Sequence, residues 1–177
     1  MENLNPPFGL KFGMSRIESK ELMEKRNAYF REYNSSDELL NYTDIDLATR
    51  KINDANLYFI KNKLCKITLH FSIDIFITKL VQYYNDIKTE INNKYYTSEN
   101  DYINYTPPAY DSDDFEETHT YNIRKGLIEY ATYWNFKSNT EYDDYIILKI
   151  NKEVRIEITY QHGDLYREYI ENKKQEW

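Results

Sequence analysis

A chain of 177 residues can bury roughly 70% of the surface its unfolded form exposes, so it is expected to fold as a single domain over residues 1–177 without a staple. Its 30 acidic residues against 23 basic ones give a net charge of -7, which repels phosphate backbones and argues against a nucleic-acid partner. No stretch approaches the ~18 consecutive apolar residues of a membrane helix, so no membrane partner is expected either.

Met1 to Gly9 lacks the basic start, apolar run and small-residue cleavage site of a secretory signal, and the single Cys65 rules out an internal disulfide framework. Both fit a cytoplasmic chain. Nineteen tyrosines offer rigid contact area with a polar tip. Yet Ile, Asn and Lys are plentiful too, while Gly and Pro number four each, the pattern that AT-rich codons would write into any protein. Tyrosine count alone therefore decides nothing.

In chain order, Phe8 to Phe12 alternates apolar with small or polar residues and predicts a short strand, with Gly13-Met14 as a turn. Ser15 and Glu18 form a Ser-x-x-Glu capping box that starts a helix running to about Arg26, with Ile17, Leu22 and Met23 as its apolar side. Leu39 to Tyr42 reads as a strand or a short helix. Leu47 to Ile52, Leu57 to Ile60 and Leu64 to Phe71 predict an antiparallel meander with turns at Asn53-Asp54 and near Asn62. In its last strand Cys65, Ile67, Leu69 and Phe71 share one face and Lys66, Thr68 and His70 the other.

Residues Ser72 to Lys94 predict the longest helix, since Phe76, Leu80, Tyr83, Tyr84, Ile87 and Ile91 recur at three- and four-residue steps. Tyr95 to Thr120 holds seven acidic residues, no Lys or Arg, and the Pro107-Pro108 pair, and reads as a long acidic loop. Leu127 to Phe136 is a cleanly alternating strand. Tyr145 to Ile150 and Val154 to Tyr160 pair through an Asn151-Lys152 turn, with Val154, Ile156, Ile158 and Tyr160 facing the core. Leu165 to Lys174 predicts a terminal helix. The order points to an α+β fold, an antiparallel sheet with helices packed on one face, built as two helix-plus-three-strand units in tandem.

The run Leu10-Lys11-Phe12-Gly13-Met14-Ser15-Arg16 resembles the strand, Gly-Met-Ser/Thr turn and capped helix that open each unit of the β-lactamase-inhibitor-protein fold, a unit shared with small outer-membrane assembly lipoproteins. The resemblance covers under a tenth of the chain. It implies two helix-plus-sheet units whose curved, aromatic-rich sheet grips a partner protein, hence a binding or inhibitory module. A second Gly-Met-Ser/Thr turn is missing, Phe71-Ser72-Ile73-Asp74 standing before the long helix instead, and the export signal and disulfides of that family are missing too.

Catalytic motifs are not apparent. His70, His119 and His162 have no spacing that sets two on one helical face, and one cysteine cannot build a structural zinc site, so neither metal nor cofactor is expected. Cys65 lies in an apolar strand pattern where a thiol is normally inert. Four scattered glycines supply no phosphate loop.

The reading is a non-enzymatic protein-binding module, an inhibitor or immunity-type protein, acting through an acidic, tyrosine-rich surface. Its candidate contacts are Tyr110, Asp111, Asp113, Asp114, Phe115, Glu116 and Glu117 in the acidic loop, and Tyr133 and Tyr145 on the sheet face opposite the core. Two readings stand beside it: a small-ligand protein or weakly marked enzyme with a pocket under residues 95–120, and a homo-oligomer joined through an exposed strand edge.

Overall fold

The computed structural model describes residues 4–47, 50–71, 77–98, 100–109, 116–138 and 141–175, the side chains of residues 77, 78, 116, 117 and 175 excepted. In order come α1 (Arg16–Glu24), β1 (Tyr29–Phe30), β2 (Leu39–Thr43), β3 (Ile45–Leu47), β4 (Arg50–Ile52), β5 (Asp54–Ile60) and β6 (Lys63–Phe71). They are followed by α2 (Ile77–Lys94), β7 (Asn100–Tyr105), α3 (Glu116–Arg124), β8 (Ile128–Phe136), β9 (Asp144–Ile150), β10 (Ile156–Gln161) and α4 (Gly163–Gln175). Eight strands form one antiparallel sheet in the order β1-β2-β5-β6-β10-β9-β8-β7, and β3 and β4 pair separately, which is the α+β class expected. Contacts gather the chain into two compact units: unit 1 comprises Met1–His70, Asn135–Ile146 and Thr159–Trp177, and unit 2 comprises Phe71–Trp134 and Ile147–Ile158.

Unit 1 opens differently from the expected strand over Phe8 to Phe12. Pro7–Gly9 is a 3-10 turn, with Phe8 at φ 67° and Gly9 at φ 75°, so the segment bends instead of extending. It is tied to β6 at the following turn, where the Gly13 N–H donates to the Leu64 carbonyl and the Leu64 N–H to the Met14 carbonyl. The capping box then forms as the spacing requires: the Glu18 N–H reaches Ser15 Oγ at 3.3 Å while the Ser15 N–H reaches Glu18 Oε2 at 2.8 Å. Beyond it α1 turns Met23 inward and leaves Ile17 69% exposed, so Ile17 is not part of the apolar side after all.

Lys61 and Asn62, at φ 46° and 62°, make the reversal between β5 and β6, the left-handed pair that matches strand twist. The predicted strand over Leu47 to Ile52 is instead the end of β3 and the whole of β4, paired with Ile45 opposite Ile52. The register of β5 and β6 slips between Tyr58 and Phe59: Lys66 stands opposite Tyr58 and Leu64 opposite Phe59, which leaves Cys65 as a bulged residue. Alternation therefore breaks at that point. Leu64 joins Ile67 and Leu69 on the apolar face, and Cys65 sides with Lys66, contrary to the unbroken alternation that placed it beside Ile67.

That apolar face, with Leu40, Tyr42, Ala55 and Leu57 all fully buried, packs under α1, whose Lys20 ammonium sits 4.7 Å from the centre of the Phe30 ring beside Tyr42. The terminal helix α4 lies against the reverse face at the bulge, where Tyr169 meets Tyr58 edge-on at 6.1 Å and Tyr166 lies 4.8 Å from the Lys66 ammonium.

In unit 2, β8 keeps the predicted alternation, with Ile128, Tyr130, Thr132 and Trp134 buried. These residues take α2 on their side: Tyr84 hydroxyl and Thr132 Oγ1 are 2.6 Å apart, and Trp134 Nε1 donates to Asn92 Oδ1 at 2.9 Å. The expected start of the long helix, residues 72–76, lies outside the described residues. The stretch expected to be a long loop contains β7, whose Tyr102, Ile103 and Tyr105 are good strand formers, and its last residues open α3. The turn after β9 is longer than Asn151-Lys152: Asn151 Oδ1 accepts the N–H groups of Glu153 and Arg155, and Val154 sits at φ 61° in the turn instead of facing the core from a strand.

Candidate interaction surfaces

Each unit has a strand face that does not carry the apolar core, and the two differ in chemistry. In unit 1 the alternate residues of three neighbouring strands are polar: Asn41 on β2, Asp54 and Asn56 on β5, and Thr68 and His70 on β6. Asn41, Asn56 and His70 converge on Asp54, while Thr68 Oγ1 lies 3.4 Å from Thr159 Oγ1. Asn41 Nδ2 donates to Asp54 Oδ1 at 2.6 Å and Asn56 Oδ1 at 2.8 Å, and Asn56 Nδ2 donates to Asp54 Oδ2 at 3.1 Å. His70 Nδ1 lies 3.4 Å and Arg31 Nη1 3.6 Å from the same carboxylate. The contact with His70, helped by the two amides and working against burial, holds the Asp54 carboxyl down to about 2.

In unit 2 the corresponding positions are aromatic and open. Because Thr132 and Trp134 face α2, Tyr133 between them faces the other way, and the register sets Tyr102 of β7 diagonally beside it, opposite Ala131. The two rings meet edge-on at 5.6 Å, with Tyr102 55% exposed and Tyr133 half-buried. Beside them runs a groove of about 450 Å³ whose charged lining is Glu129, Lys149, Lys152 and Glu153. Lys149 is held by Glu157 at 3.0 Å, so the groove presents both signs of charge.

Tyr145 sits elsewhere, in unit 1. It is half-buried in a groove of about 300 Å³ shared with Tyr142, Gln161 and the α4 residues Tyr166, Arg167 and Ile170. The Asp144 carboxylate at this end accepts the Gly163 N–H at 2.9 Å, and burial, the largest influence on it, raises its pKa. Gly163 is required here by close approach, since a Cβ would collide with the carbonyls of Tyr142 and Asp143.

Of the residues picked out from sequence, Tyr110, Asp111, Asp113, Asp114 and Phe115 lie outside the described residues, and Glu116 and Glu117 open α3 with side chains not described. Tyr133 and Tyr145 lie in different units and different grooves. Sequence reasoning misses Tyr102, because the acidic residues and the Pro107-Pro108 pair around it give residues 95–120 the composition of a loop. It also misses Glu129 and Lys149, although their alternation with buried neighbours is available as a signal.

Other chemistry is limited. Burial pushes the Cys65 thiol up to about 12, so it stays protonated at neutral pH and is a poor nucleophile. Among the described residues no group of three His, Cys, Asp or Glu side chains converges as a metal site, and no helix is long and apolar enough to cross a membrane. No protein-family model matches the chain, and neither a curated protein nor a solved structure is significantly similar to it.

Proposed function

We propose that this chain is a non-enzymatic protein-binding module, of the inhibitor or immunity type, that meets its partner through the strand face of unit 2 that carries Tyr102 and Tyr133. The observation that supports this most is the Tyr102–Tyr133 pair, an exposed aromatic anchor beside a groove carrying Glu129, Lys149, Lys152 and Glu153. Tyrosine is a common interface hot spot, because its ring buries area at small entropic cost while the hydroxyl stays hydrogen-bonded. A rim carrying charges of both signs suits a mixed or basic protein surface, in keeping with the net charge of -7 and with the acidic run from Asp111 to Glu117. The proposal takes the chain to be cytoplasmic, in keeping with its single cysteine.

The groove volume also falls in the range of small-ligand sites, which keeps a ligand-binding reading beside this one. It is less favoured because the lining is open and its charges are solvated.

Capture from extracts of the native host tests the proposal, comparing wild type with the double variant Tyr102→Ser, Tyr133→Ser and with Tyr29→Ser. Tyr29 is also an exposed strand tyrosine, but in unit 1. A specific protein should be retained by wild type and by Tyr29→Ser and fall at least about tenfold with the double variant, as loss of an aromatic hot spot requires. Equal recovery by all three, or no protein retained by wild type, rejects the reading.

A further inference from the structure

Of the four charged side chains that line the groove of unit 2, two are already occupied. The Lys149 ammonium stands 3.0 Å from Glu157 and the Glu153 carboxylate 3.6 Å from Arg155, and both partners lie outside the groove lining. Glu129 and Lys152 are exposed and have no ion pair among the described residues. The groove therefore offers one open carboxylate and one open ammonium.

The local chain fixes where each of them stands. Glu129 lies on β8 two residues from Ala131 and four from Tyr133, and alternation sends all three to the same side of the strand. Tyr102 stands opposite Ala131, so the carboxylate and the Tyr102–Tyr133 pair flank a depression floored by one methyl group. Lys152 reaches the groove from the turn after β9. Asn151 Oδ1 fixes that turn by accepting the N–H groups of Glu153 and Arg155. The Lys152 stem lies over Gly126, with Cε 3.3 Å and Nζ 3.4 Å from where a Cβ would stand. Gly126 and Glu129 are three residues apart, no more than about 10 Å of chain, so one short segment of a partner can reach both charges.

Resting on the protein-binding reading, we propose that the groove takes a partner segment carrying both signs of charge, a basic side chain meeting Glu129 beside the tyrosines and an acidic one meeting Lys152. The partner surface is then mixed and held in one orientation, and a uniformly basic surface does not fit. In the depression a basic group gains twice, from the carboxylate and from the attraction of a phenol ring for a cation at its face. At Lys152 a second basic group would meet a like charge, which selects against a partner that is basic throughout. Two opposite ion pairs on one short segment also set its direction along β8.

The probe is the protein that wild type retains from host extracts, purified and titrated against wild type and three charge variants with unchanged circular dichroism spectra. Glu129→Lys and Lys152→Glu should each weaken binding at least about fivefold, as a like charge set across an interface does. The second result discriminates most, because Lys152→Glu makes the chain more acidic and would strengthen attraction to a uniformly basic partner. The double reversal returns the net charge to that of wild type and should still bind at least as weakly as either single variant. Where a reversal disturbs the fold, Glu129→Gln and Lys152→Gln keep the stems in place and should each weaken binding about twofold or more. Unchanged or tighter binding by Lys152→Glu, unchanged binding by Glu129→Lys, or wild-type binding by the double reversal overturns the proposal. The protein-binding reading survives that outcome if the Tyr102→Ser, Tyr133→Ser variant still loses the partner. If wild type retains no protein, or only further copies of this chain, both fall.

Discussion

The reverse faces of units 1 and 2 arise from the same alternation along strands and end in opposite states. In unit 1 the outward positions of β2, β5 and β6 are carboxamides, a carboxylate and an imidazole, which satisfy one another around Asp54. In unit 2 the outward positions of β7 and β8 include two phenol rings that leave apolar surface open to solvent. Away from the bulge at Cys65, alternation thus settles which residues point away from the core. The chemistry at those positions settles whether the surface closes on itself or waits for something else.

The sharpest way to break this contrast is on one strand. Trp134→Ala should cost about 3–5 kcal/mol in urea unfolding, because the indole is fully buried and bonded to Asn92. A loss under about 1 kcal/mol would remove β8 from the core of unit 2. Next in size, Asp54→Asn should cost about 1–3 kcal/mol at neutral pH, since it sets amide donors against one another within the network. Its pH dependence carries a definite sign. Asp54 binds its proton less readily in the folded chain, near 2, than at its ordinary value of 3.8, so its stabilisation is complete above the ordinary value and is lost as pH falls through the folded one. The gap between variant and wild type should therefore narrow between about pH 4 and 2. A gap that is constant over that range would show that the carboxylate is not held by the network. The smallest effect belongs to Tyr133→Thr, which keeps strand preference and should change stability by no more than about 0.5 kcal/mol in the same unfolding experiment. A cost near that of Trp134→Ala would make the open face part of the core.

These differences track what could be read from the sequence. The capping box at Ser15 and the alternation of β8 were legible because the interactions that define them lie within a few residues. The bulge at Cys65 was not, since Cys65, Ile67 and Leu69 alternate without a visible break and only the pairing with β5 reveals the extra residue. Nor was β7: acidic neighbours and the Pro107-Pro108 pair dominate its surroundings, and its status as a strand depends on β8 almost thirty residues away. The network around Asp54 joins three strands, so no window of sequence contains it. Tyr133 was legible as an outward position, whereas Lys152 and Glu153 reach their groove through a turn longer than the two residues the sequence suggested.

The bulge at Cys65 has a practical consequence. It turns the sole thiol of the chain towards α4, near Glu168, where it is buried and tied to the Tyr58 carbonyl at 3.2 Å. An alkylating reagent can reach that sulfur only when the terminal helix lifts away, and only then does the thiol regain its ordinary acidity. The rate of covalent labelling in the unmodified chain is thus a direct measure of how often its last helix opens.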